Sequence, residues 1–66
     1  MNELTTDELL EVTVRLEHIA RDYMADAKKW ADDVELAAYL IERAKEYLGI
    51  ANKLNRSLGL DEFELN

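Results

Sequence analysis

The chain has 66 residues, no cysteine and one histidine, carries a formal net charge of −7 and is 48% hydrophobic. That allows one small domain without disulfides, cysteine-based zinc sites or a nitrogen-rich metal set, and the acidity disfavours general nucleic-acid binding, which Lys and Arg drive by displacing counterions from phosphate. A chain this short buries only about 60% of the surface its unfolded form exposes, so with no disulfide or metal as a staple, self-association is the expected device.

No run of about 18 apolar residues exists to span a bilayer. Met1-Asn2-Glu3-Leu4 lacks the basic start and apolar core of a signal peptide. The expectation is a cytoplasmic protein with no cofactor and no membrane partner.

The first helix opens at Thr5, because Thr5-Thr6-Asp7-Glu8 has the spacing of a capping box. From there Leu9, Val12, Leu16, Ile19, Tyr23, Ala27 and Trp30 recur at steps of three and four. With Ala20, Met24 and Ala31 they predict an apolar arc of roughly 140°. Glu11 with Arg15 and Glu17 with Arg21 are four-residue ion pairs in the favoured order.

Lys28 and Lys29 suit the end of that helix. Asp32-Asp33-Val34-Glu35 then predicts a turn, with Asp32 as the next cap and Glu35 three residues on. The second helix shows a heptad of Ala37, Leu40, Ala44, Tyr47, Ala51, Leu54 and Leu58, widened by Ile41 and Leu48. It stops at Gly59, the residue suited to a left-handed C-terminal position. Gly49 falls opposite the stripe and is a candidate bend.

These signals predict an all-α antiparallel hairpin, with helices at about 5–31 and 33–58. The hairpin occupies residues 1–60 and a frayed acidic tail residues 61–66. Folding about Asp32-Asp33 brings Val12 near Ala51, Ile19 near Ala44, Leu16 near Leu48 and Tyr23 near Ile41. One helix–helix contact covers only a narrow seam of each arc, so a shelf of large apolar residues is left on each flank. Pairing two hairpins into a four-helix bundle removes it. The expected self-association interface is Leu16, Tyr23, Met24, Leu40, Ile41, Tyr47 and Leu48. Val14, Tyr39, Ile50 and Phe63 fall outside the main arcs and form a candidate partner surface; Phe63 and Leu65 in the acidic tail have the look of a short docking motif.

His18 with Asp22 has a one-turn spacing that a metal or a tuned base would need. His18 lies off the core stripe and Arg15, not Glu, precedes it by three residues, so a solvated histidine is the better reading. Tyr23, Trp30, Tyr39 and Tyr47 as a base-stacking platform yield to core packing for those on the stripe. No pair of polar side chains converges on a pocket, so the sequence predicts a non-enzymatic protein.

Tyr23, Asp26, Ala27 and Trp30, followed by Ala37, Ile41, Ala44, Tyr47, Leu48 and Leu58-Gly59-Leu60, resemble a family of short all-helical archaeal proteins of unknown function. The chain departs from that family at Arg43-Ala44-Lys45-Glu46-Tyr47-Leu48-Gly49, where the family has Tyr-Ala-His-Gly-aromatic-Leu-Asp. The resemblance implies a helical fold and no activity. A hairpin of this length, with an acidic turn and a short acidic tail, is also similar to the plasmid Rop type, whose antiparallel dimers bind paired RNA loops through their first helices. Here the first helix carries more acid than base.

The leading expectation is therefore a homodimer that binds another protein as an interaction and assembly module. Its rivals are an RNA-binding dimer of Rop type and an acidic inhibitor that imitates nucleic acid, presenting Glu3, Asp7, Glu11, Asp22 and Asp26 to a basic partner.

Overall fold

The computed structural model describes residues 3–64. Two α-helices, α1 (Thr6–Lys29) and α2 (Val34–Ser57), pack side by side as a hairpin, with no strand among the described residues. The extents are 47 × 23 × 13 Å. The shortest is close to the diameter of a single helix, so the chain is a slab one helix thick with two broad faces.

The ends of α1 follow from the sequence. Thr5 Oγ1 accepts from the Glu8 N–H at 3.1 Å and Glu8 Oε1 accepts from the Thr5 N–H at 2.9 Å, a complete capping box. Lys28 and Lys29 lie in its last turn, against the negative end of the dipole.

The turn corrects one expectation. The cap of α2 is Asp33, not Asp32: its side chain accepts from the Leu36 N–H at 3.1 Å. The Trp30 N–H still donates to the Asp26 carbonyl, and the Asp33 N–H closes a short turn on the Trp30 carbonyl. This places Leu36, not Glu35, at the third helical position, so no reciprocal carboxylate contact forms. At the other end Gly59 takes φ +73°. Its N–H donates to the Arg56 carbonyl and the Leu60 N–H to the Asn55 carbonyl, which completes a Schellman motif. Gly49 does not interrupt α2.

The seam is made of small residues. Ala20, Ala44 and Ala51 are 0% exposed, and Ala27 is buried with them. Thr13, Ala20 and Ala27 recur every seven residues on α1; Ala37, Ala44 and Ala51 do so on α2. Alanine adds almost nothing between backbones, so the helices approach closely along this line and larger residues are pushed to either side. Thr13 joins the seam because its hydroxyl donates to the Leu9 carbonyl at 2.8 Å and needs no partner from α2.

This rotates α1 by about one residue from the expected stripe. Val12 and Ile19, predicted to face Ala51 and Ala44, are each 39% exposed, and Trp30 is exposed too. Tyr23 stacks on Tyr47 (centroids 5.6 Å apart, planes within 8°) and does not face Ile41, which lines the other side of the slab with Met24.

Candidate interaction surfaces

At 100° per residue, the side chains flanking the seam fall onto two faces of unlike character. The Tyr23–Tyr47 stack marks the first. Around it α1 presents Val12, Leu16, Ile19, Tyr23, Asp26 and Trp30, and α2 presents Leu36, Leu40, Arg43, Tyr47, Ile50 and Leu54. Both sets step by four and three residues, a second heptad stripe beside the small-residue seam. Val12, Ile19, Trp30, Leu36, Tyr39 and Ile50 on this side are all exposed.

Arg43 is the cation set into this face. It lies over the Tyr47 ring at 5.3 Å and donates to Glu46 at 2.7 Å and to the Tyr47 hydroxyl at 3.2 Å. The accepting Tyr47 hydroxyl, and after it the Glu46 carboxylate, hold its guanidinium more firmly protonated than usual. Its buried Nε has no acceptor among the described residues. Asp26 lies on the same face, three residues from Tyr23 toward the turn; Arg43 lies four residues from Tyr47 in the same direction. The two therefore stand at nearly one level, yet Asp26 forms no ion pair among the described residues.

The opposite face is half covered by the chain itself, because Glu62, Phe63 and Glu64 of the acidic tail lie against it. The Phe63 N–H donates to Asn52 Oδ1 at 2.7 Å, and Asn52 Nδ2 donates back to the Phe63 carbonyl at 3.0 Å. Asn55, 2% exposed, supports Asn52 Oδ1 through its Nδ2 at 3.4 Å. Arg56 pairs with Glu62. Arg21, already paired with Glu17 at 2.8 Å, also donates to the Glu64 carbonyl at 3.2 Å. Nearer the turn the face is bare: Met24, Ala27, Lys28, Ala31, Ala37 and Ile41 line an open groove of about 500 Å³.

The expected site residues are thus divided. Leu40 and Leu48 are buried by the hairpin alone, Leu40 at the inner edge of the first face and Leu48 beside the seam, so both offer little to a second chain. Leu16, Tyr23 and Tyr47 are half-buried at the edge of the first face, while Met24 and Ile41 are half-buried on the second. Of the candidate partner surface, Tyr39 and Ile50 lie exposed on the first face and Val14 exposed on the flank of the second. Phe63 is half-buried against its own chain. Leu65 lies outside the described residues. Sequence reasoning missed Thr13, Asn52 and Asn55, polar residues left out of any apolar stripe; the seven-residue step from Thr13 to Ala20 was the one available signal.

His18 is exposed beside a shallow hollow with Leu10, Val14 and Arg15. No group of three or more His, Cys, Asp or Glu stands close enough to hold a metal among the described residues, and no helix described is long and apolar enough to cross a membrane. Comparison with protein families, with curated proteins and with solved structures finds no match.

Proposed function

We propose that the chain is a homodimeric protein–protein interaction module, non-enzymatic and cytoplasmic, in which two hairpins pair through the Tyr23–Tyr47 face to make a four-helix bundle. The observation that carries this reading is the second heptad stripe. A helix in a lone hairpin needs one apolar line, and each helix here has two. The surface area agrees. The chain exposes 5053 Å², against about 4,300 Å² for a compact monomer of its mass. The excess is close to the ~800 Å² that one partner buries in a standard interface.

The charges favour one arrangement. A two-fold axis parallel to the helices lays α1 of one copy over α2 of the other, with levels preserved. Asp26, which forms no ion pair among the described residues, then meets Arg43 of the second copy, whose guanidinium is paired in its own chain with Glu46. An RNA-binding reading has less support, because Arg15 and Arg21 both donate to glutamates on their own helix.

A charge swap tests the arrangement. Asp26→Arg alone and Arg43→Asp alone each place like charges together and should shift the protein to monomer in sedimentation. The double variant restores opposite charges and should recover the dimer. A double variant that associates no better than either single one would refute the pairing.

A further inference from the structure

We infer that the face opposite the dimer stripe is a peptide-docking site for an extended acidic segment with a central aromatic residue, held closed in the free chain by the chain's own tail. The site is built around the Asn52 side chain, which engages both the N–H and the carbonyl of Phe63. An amide used this way acts as a one-residue β-strand edge: it selects extended backbone and is indifferent to which residue supplies it. Asn55, 2% exposed, fixes the orientation of Asn52 from behind.

Sequence selectivity comes from Arg56, which meets the carboxylate of Glu62 one residue before the fork, and from Phe63, half-buried at the fork itself. Arg21 donates to the Glu64 backbone carbonyl one residue after it, a contact that holds the segment whatever its side chain. The order Arg56, Asn52, Arg21 also gives the track a direction, antiparallel to α2 and toward the turn. A peptide continuing along it meets the groove of Met24, Ala27 and Ile41, with Lys28 at the rim. The occupant that fits is an acidic partner segment with an aromatic residue at the fork and an apolar one beyond it.

The tail is joined to α2 by only Leu58, Gly59, Leu60 and Asp61 before it docks, so its effective concentration at the site is in the millimolar range. A partner peptide must displace it. The site lies on the face that dimerisation leaves free, so either idea can fail without the other.

The test uses the full chain with Phe63→Ala, which weakens the tail in place, and a synthetic peptide with the sequence of residues 60–66. In the parent protein the Asn52 side-chain amide resonances should stand apart from those of a solvated asparagine; Phe63→Ala should return them toward solvated positions, and added peptide should shift them back. Adding Asn52→Ala should weaken peptide binding by about tenfold or more, as should lysines at the two glutamates flanking the peptide's phenylalanine. A second variant, Glu62→Lys with Glu64→Lys, loosens the tail without removing Phe63 and serves if Phe63→Ala unfolds. The inference is overturned if neither variant responds to millimolar peptide, or if Asn52→Ala leaves binding unchanged.

Discussion

Ala44→Leu is the sharpest probe of the seam. Ala44 is 0% exposed in a single hairpin, where only the facing helix can cover it. The isobutyl group would have to enter a line whose other members, Ala20, Ala27 and Ala51, are as small and also buried. The helices must separate or the side chain must leave its rotamer, at a cost of about 1–3 kcal/mol. For a chain of this length each kcal/mol lowers the melting temperature by about 4–8 °C. The fall should therefore be at least about 4 °C, read by far-UV circular dichroism at fixed protein concentration. Ala25→Leu, at an exposed position on the far side of α1, is the control and should stay within about 0.5 kcal/mol. If Ala44→Leu melts at or above the parent temperature while the control is neutral, the small-residue seam is wrong.

Gly49→Ala should stabilise the protein by about 1 kcal/mol in urea titration, since a methyl group there meets nothing within 4 Å; destabilisation would reveal a bend or contact at that position. Thr5→Ala should cost about 1 kcal/mol through loss of the capping box. The Thr5 backbone and hydroxyl bonds hold the Glu8 carboxyl below its usual range, so its contribution is present above the unfolded-chain value and lost as pH falls through the folded one. Amide protection in the first turn of α1 should weaken on acidification below the usual carboxylate range, and Glu8→Gln should flatten that dependence.

The parts of this fold that sequence made legible are local. Thr5 and Glu8, Glu11 and Arg15, and Gly59 act within one helical turn, where spacing alone fixes geometry. The seam was harder to read because hydrophobicity ranks Val12 and Ile19 above Thr13 and Ala20, while close packing of two helices ranks them the other way. The large residues then fall to the flanks, where a second chain and not the first would bury them. The tail was invisible for a different reason. Asn52 and Phe63 are eleven residues apart and joined through a side-chain amide and a backbone group, a contact that no periodicity or composition encodes. Even the choice of Asp33 over Asp32 turned on a backbone bond, from the Asp33 N–H to the Trp30 carbonyl, and not on residue type.

The burial of Leu48 within one hairpin decides how dimerisation should be challenged. A charge at Leu48 would enter the buried seam and unfold the hairpin itself, whereas Ile19→Glu places it on the open face and should break association before it breaks the fold. Sedimentation equilibrium of the parent chain and Ile19→Glu, over a range of micromolar concentrations, tests the central claim most directly. The parent should run at twice its 7.6 kDa chain mass, with a melting temperature that rises with concentration, and Ile19→Glu should fall toward the single-chain mass. A parent protein that is folded at 7.6 kDa, with a melt indifferent to concentration, would contradict it.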